Sequence, residues 1–351
     1  VSGTRLTAED IARIDSEGML DRILNLPQQI EHAITISQAT PLKLATDFAN
    51  VCFAGMGGSA IGGDVVRAAL SDVSRVPIAV SRYYSLPKYI NEKSLVVACS
   101  YSGDTEETLA AYDDALAKRA SVVCVTSGGS LAEKARANGH PMILVPGGFP
   151  PRSALGYLTS PLLFILHYAD LISSPLSELR ETISVLRSLS EEYHPRSEPN
   201  LAKKIACELH GKIPLIYTSA VGVEPAALRW KCQLAENSEV MAGCHVFPEL
   251  NHNEIMGWGP LREINHTFRA VYLRDREMHP RVLKRMAVTK DIISQHADGI
   301  IEVESKGDSL LARIFSLIFL GDMVSLYLAI LNGVDPTAIG NINFVKKSLS
   351  S

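Results

Sequence analysis

Two short segments combine residue types and spacing suited to holding an anion. The first is Gly55-Met56-Gly57-Gly58-Ser59-Ala60-Ile61-Gly62-Gly63-Asp64, and the second is Ser100-Tyr101-Ser102-Gly103-Asp104-Thr105-Glu106-Glu107-Thr108. Each follows an apolar run and leads into a helix-like stretch. Glycines let the backbone approach a ligand closely, and a helix N-terminus offers unpaired N–H groups. Gly58 and Ser59 come from the first segment, and Ser100, Ser102 and Thr105 from the second. Parallel sheets bind ligands at the carboxyl ends of their strands, at the topological switch point. Hydroxyls and backbone N–H groups gathered there suit a phosphate monoester. A single hydroxyl would read as a helix cap; two such loops, after the first and third strands, favour a ligand. Gly55-x-Gly57-x-x-Ala60 is also a loose dinucleotide fingerprint. That alternative wants an acidic residue after the next strand, where the chain has Ser81 and Arg82; Arg82 could instead hold a 2′-phosphate.

Other residues could move protons or steady charge. Glu236 lies near the C-terminal end of a helix that begins at Glu224-Pro225. The negative end of the helix dipole makes a carboxylate there a better proton acceptor, although a solvated helix surface explains a glutamate equally well. His252 stands between Asn251 and Asn253, beside Glu254, in a polar run within an apolar stretch, and imidazole passes protons near neutrality. Arg152 follows Gly147-Gly148-Phe149-Pro150-Pro151; the prolines stiffen its approach to a helix predicted from Ser153, and a fixed guanidinium stabilises developing negative charge. Asp335-Pro336-Thr337 is predicted to open a short helix carrying Lys346 and Lys347, with Thr337 as a possible N-cap. His-x-x-x-His and cysteine-rich spacings do not occur, and His252-Asn253-Glu254 has no third ligand close in sequence, so no metal is expected.

These residues need a scaffold. Runs at 51–54, 76–80, 94–99, 121–126 and 142–145 are continuously apolar rather than alternating, which marks a parallel sheet covered on both faces and an α/β doubly wound fold. The chain before them reads as helical, with Pro27 as an interruption. An amphipathic helix and a Pro- and Ser-rich stretch occupy 171–200. The alternation then resumes with strands at 213–218, 269–273 and 299–304 and helices near 224–238 and 308–332. Both halves open on strand, small-residue loop and helix, so the expected domains are 1–195 and 196–351.

Length and charge agree with this. The chain has 351 residues, enough for two domains, and is 46% apolar and 21% charged. Its 34 Lys plus Arg against 38 Asp plus Glu give a net charge of −4. Without a basic block, neither nucleic acid nor an anionic membrane is an expected partner. The six cysteines form no C-x-x-C pair and read as buried thiols in a reducing compartment. The N-terminal segment is too polar for a secretory signal. The most apolar stretch, 314–331, contains Asp322, which would cost about 2.5–3.5 kcal/mol at a bilayer centre. A core helix is the better reading, and a cytoplasmic location is expected.

GMGGSAIGGD together with SYSGDTEET resembles the sugar isomerase (SIS) fold. PPRSALGY at 150–157, AENSE at 235–239, LNHNEIMGW at 250–258 and GVDPTAIGNINFVKK at 333–347 narrow the resemblance to the bifunctional phosphoglucose/phosphomannose isomerase family. It covers about residues 50–350 and is specific in its combination of motifs. The resemblance implies two SIS-type subdomains and a cofactor-free aldose–ketose isomerase acting on glucose 6-phosphate and mannose 6-phosphate, with fructose 6-phosphate as the ketose and an enediolate between them. It implies Glu236 as the base, Arg152 as the enediolate's counter-charge, and His252 as the ring opener, reaching into a partner subunit's site in a homodimer. Lys346 would assist ring opening, and Thr337 would meet the sugar near C2. Asp104 stands where the family pattern has Asn, and Glu239 where it has Lys. Two rivals remain at this stage. One is a non-catalytic sugar-phosphate sensor on the same module; the other is an NADP-dependent oxidoreductase.

Overall fold

Continuous burial of the apolar runs organises a computed structural model that describes residues 6–259 and 261–349. By packing, the chain divides into two units. One takes residues 25–186 and 307–314; the other takes the residues up to 24, 187–306 and those from 315 on. The division is therefore not a single cut near 195, because the first helices group with the C-terminal half.

In the unit built on residues 25–186 the strands are β1 (Asn50–Ala54), β2 (Ile78–Ser81), β3 (Ser94–Cys99), β4 (Ser121–Thr126) and β5 (Met142–Leu144). All pairs are parallel, in the order β2-β1-β3-β4-β5. This doubly wound order has its switch point between β1 and β3. Successive residues of β1, β3 and β4 serve opposite faces. Cys52, Ala54, Val96, Ala98, Val122 and Cys124 share one core with Ala111, Tyr112, Leu131 and Ala135 of the Glu106–Ala117 and Gly129–Ala137 helices. On β1, Phe53 lies against Gly63 of the Gly57–Ala69 helix. With both faces covered, no polar alternation survives in the sequence.

The other unit holds β6 (Ile213–Ser219), β7 (Gly243–Phe247), β8 (Phe268–Arg274) and β9 (Ile300–Glu304). These are again all parallel, in the order β7-β6-β8-β9. In chain order that is 2-1-3-4, the same winding as the first sheet, and it places a switch point between β6 and β8. The sequence reading contained no β7. It is an edge strand, half-exposed over most of its length, and so lacks the continuous apolar signature.

The 314–331 stretch lies in the Leu310–Asn332 helix, which is 94% buried inside the protein over its most apolar window. From Phe315 on, this helix is the spine of the second unit. Its Asp322 receives Arg229 Nε at 2.9 Å and Nη2 at 2.7 Å, with both side chains almost fully buried. Burial pushes the Asp322 carboxyl up, while Arg229 and Gln233 oppose that shift. Only Cys52, Cys99 and Cys124 are buried thiols; Cys207 is exposed and Cys232 and Cys244 are half-buried, which corrects the uniform burial expected of the six.

Candidate active site

The first cluster lies at the carboxyl ends of β1 and β3. The Gly57–Ala69 helix starts straight after β1, and its N-cap position, Met56, supplies no side-chain cap. The Glu106–Ala117 helix follows β3, and Thr105 sits at its N-cap but makes no capping bond. Capping therefore does not account for the Thr105 hydroxyl. It shares a 2.8 Å hydrogen bond with Ser100 Oγ, which also accepts Gly103 N–H at 3.1 Å. Ser59 Oγ accepts Tyr101 N–H at 3.3 Å and so ties the first loop to the second. Ser59 and Ser100 are buried, Thr105 is half-buried and Ser102 is exposed, with its Oγ accepting Asp104 N–H.

Two glycines make this geometry possible. A Cβ on Gly58 would fall 2.8 Å from Pro151 O and 3.4 Å from Arg152 Cα. The Pro151–Arg152 backbone can therefore lie directly against the helix N-terminus, bringing the buried Arg152 to the glycine-rich loop. Gly103 has φ +81, and a Cβ there would meet Gly128 O at 1.9 Å. Only glycine lets the second loop turn against the loop after β4.

Arg152 lies within a 3₁₀ turn, Pro151–Ser153, and the α-helix starts at Leu155 rather than at Ser153. Gln29 holds this turn, donating Nε2 to Ser153 O at 2.7 Å. Tyr101 in the second loop is a linking residue that the motif reading passed over. Its Oη donates to Pro146 O at 2.7 Å and accepts Phe149 N–H at 3.1 Å, linking the serine loop to the segment before Arg152. A bulky residue between two serines of an otherwise small loop was the available signal. Asp104 accepts both Ser130 N–H and Ser130 Oγ at 2.9 and 2.8 Å. Its charge thus sits at the N-terminus of the Gly129–Ala137 helix, where a carboxylate is favoured. Arg82 pairs with the buried Asp64 carboxylate, which occupies the guanidinium that the dinucleotide reading required.

The second group belongs to the other unit. Glu236 is half-buried in the last turn of the Glu224–Ser238 helix. Arg229, Gln233 and Glu236 are spaced i, i+4, i+7 and so share a face. Trp230 Nε1 donates to Leu317 O at 2.7 Å, Asn237 Nδ2 to Ser325 Oγ at 3.0 Å and Ser238 Oγ to Ser325 O at 2.7 Å. The helix end bearing Glu236 is thereby fastened to the buried spine. Glu239 closes that end in the left-handed region, at φ +56.

His252 is exposed at the end of a 3₁₀ turn, Glu249–His252, which follows β7; a second turn, Glu254–Gly257, comes next. Thr337 does not cap the C-terminal helix. That helix is Gly340–Leu349, and Thr337 is buried in the preceding turn, donating its N–H to Asp335 Oδ1 at 2.8 Å. The Asp335 side chain makes the i to i+2 bond of an N-cap here, but only a turn follows it, and the helix begins three residues after Thr337. Lys346 is exposed on the last turns. Among the described residues, no group of three or more His, Cys, Asp or Glu side chains could hold a metal ion.

Comparison with known proteins adds the following. Residues 198–349 match the family described as bacterial phospho-glucose isomerase C-terminal SIS domain. The chain is 44% identical to a bifunctional phosphoglucose/phosphomannose isomerase of Caldicellulosiruptor bescii over 95% of this chain and 99% of that one. It is 34% identical to the protein of the same name from Aquifex aeolicus, over 88% of this chain and 92% of that one. In fold it resembles the C-terminal domain of glucosamine-fructose-6-phosphate aminotransferase from Francisella tularensis, with a TM-score of 0.68, 17% identity and coverage of 91% and 97%.

Proposed function

The chain belongs to the bifunctional phosphoglucose/phosphomannose isomerase family, and on that premise we propose how its residues divide the work of interconverting glucose 6-phosphate and mannose 6-phosphate with fructose 6-phosphate. The observation that carries the proposal is the pair of loops at the β1/β3 switch point, with hydrogen-bonded hydroxyls and two helix N-termini lacking side-chain caps. Gly58, Ser59, Ser100, Ser102 and Thr105 bind the 6-phosphate. Arg152 holds the negative charge that develops on O1 and O2. Glu236 removes the proton at C2 of the open-chain aldose, giving the enediolate, and returns it at C1 as the O2 hydroxyl proton passes to O1, giving the ketose. Thr337 contacts the sugar near C2. The protein works in the cytoplasm without a metal or other cofactor.

A coupled assay with each aldose phosphate in EDTA tests this reading. Turnover of both is expected; absence of turnover with either rejects dual specificity, and dependence on added metal rejects the cofactor-free mechanism.

Charge-assisted hydrogen bonds contribute about 1.5–3 kcal/mol each. Ser102→Ala is accordingly expected to weaken phosphosugar binding roughly 10–150-fold with the fold unchanged, because the exposed hydroxyl supports no packing. Inorganic phosphate should compete with substrate in the wild type. Failure to compete would misplace the anion site.

Sugar 6-phosphates are mostly cyclic, so a proton must reach the ring oxygen before the C2 proton becomes acidic. His252, assisted by Lys346, supplies it across a homodimer interface. The exposure of His252 and Met256, and of Phe344, Val345 and Leu349 on a C-terminal helix with no buried residue, supports a surface covered by a second copy. His252→Asn is expected to lose roughly 10²-fold in turnover of the cyclic sugar, while still exchanging deuterium into open-chain substrate. Mixed with Glu236→Gln, it should recover about a quarter of wild-type activity, since half of randomly formed dimers carry one intact shared site. No recovery on mixing would place both groups in a single subunit.

A further inference from the structure

The segment that presents His252 is fastened at almost every polar position except the histidine. Asn251 Nδ2 donates to Thr289 Oγ1 at 2.7 Å, and Asn253 Nδ2 donates to Glu249 Oε1 at 2.8 Å. Asn253 Oδ1 in turn accepts Glu254 N–H at 2.6 Å. The Glu254 carboxylate spans two strands: Oε1 accepts Tyr217 Oη from β6 at 2.5 Å, and Oε2 lies 2.6 Å from His245 Nδ1 on β7. The His252 imidazole makes no hydrogen bond or ion pair among the described residues.

We propose that Glu254, held between Tyr217 and His245, is a positioning residue that fixes the 249–257 segment so that the His252 imidazole is aimed for ring opening. This rests on the isomerase reading above. Asn251 and Asn253 hold the segment to helix 280–293 and to itself, whereas Glu254 is the polar side chain that bonds it to two strands of the sheet. The Tyr217 ring is fully buried among Phe247 and Tyr272, so the phenol cannot follow a wandering loop. Burial, and then the adjacent carboxylate, push that phenol well up, which keeps it protonated and donating to Glu254. A loop tethered by flexible surface contacts would lose its geometry during turnover. A displacement of about 1 Å in a reacting group can cost 10²-fold in rate.

The test compares Glu254→Ala, Glu254→Gln and Tyr217→Phe with the wild type and with His252→Asn. Glu254→Ala is expected to lower kcat on the cyclic sugar roughly 10–100-fold, with KM within about threefold. Glu254→Gln can still accept from Tyr217 and donate to His245, and should recover most of that loss. Tyr217→Phe removes one tether without disturbing the core and should lower kcat in the same direction by a smaller factor, which keeps the proposal testable if the alanine variant does not fold. In the His252→Asn background Glu254→Ala should cost nothing further, because residues acting as a unit are not additive. Losses that multiply in the double variant, a wild-type kcat in Glu254→Ala, or a rise in KM with kcat unchanged would each overturn the proposal. Wild-type turnover in the same runs checks the isomerase reading separately.

Discussion

Glu236→Gln is expected to bind sugar phosphates within about threefold of the wild type while losing isomerisation by at least about 10³-fold, within the span general-base groups contribute. The amide keeps the shape and the hydrogen-bonding reach of the carboxylate but cannot accept the C2 proton. Exchange of the C2 hydrogen with deuterated water should vanish together with turnover. Glu236 lies on the last turn of a helix that Trp230, Asn237 and Ser238 fasten to the spine. Melting temperature should therefore stay close to that of the wild type. A variant exchanging deuterium at the native rate would exclude Glu236 as the base, whatever its effect on overall turnover.

The largest stability effect is expected two turns earlier on the same helix. Arg229→Ala leaves the Asp322 carboxylate buried without its counter-charge, and Asp322→Ala leaves the guanidinium in the same position. Breaking one side of a buried pair costs about 3–5 kcal/mol, a large share of the roughly 5–15 kcal/mol that stabilises a typical domain. Both single variants should show a strongly lowered denaturation midpoint. Replacing both residues together by apolar side chains of similar volume, Arg229→Met with Asp322→Leu, should recover most of that loss, because no orphaned charge remains. A double variant no more stable than the singles would show that the pair specifies the packing of the two helices rather than merely compensating its own burial.

The first sheet could be read from the chain because each of its central strands is buried on both faces, and an unbroken run such as Ser94–Cys99 has no other ready explanation. The placement of the glycine- and hydroxyl-rich loops was legible for a related reason. Hydroxyls and glycines placed after the first and third apolar runs fall at a switch point once the sheet is wound, and the winding follows from parallel topology alone. β7 was not legible. Its Gly243, Cys244 and His245 carry no period, because an edge strand buries little. The reading of Asp335-Pro336-Thr337 as a helix start failed because the same Asp-to-i+2 bond caps helices and closes isolated turns alike, and here it closes a turn. The partnerships of Tyr101 with Pro146 and of Glu254 with Tyr217 link residues 45 and 37 positions apart, and no periodicity encodes a contact of that kind. Family resemblance supplied roles for Glu236 and His252 that residue chemistry alone left open, since a glutamate on a helix and a histidine in a polar turn each have common bland explanations.

The chain has two tryptophans, and both lie beside segments assigned to proton transfer. Trp230 is fully buried on the Glu236 helix, with its N–H engaged by Leu317 O. Trp258 is 8% exposed, immediately after the turns that follow His252, and packs edge-on to Phe268. Indole emission depends on solvent contact and on the carbonyls and aromatic rings nearby, so the ultraviolet fluorescence of the unlabelled protein originates next to its two proposed proton-handling elements. Single replacements by phenylalanine would divide that signal into one channel for the helix and one for the turn. Movement of either during a catalytic cycle could then be followed in real time, with no dye attached.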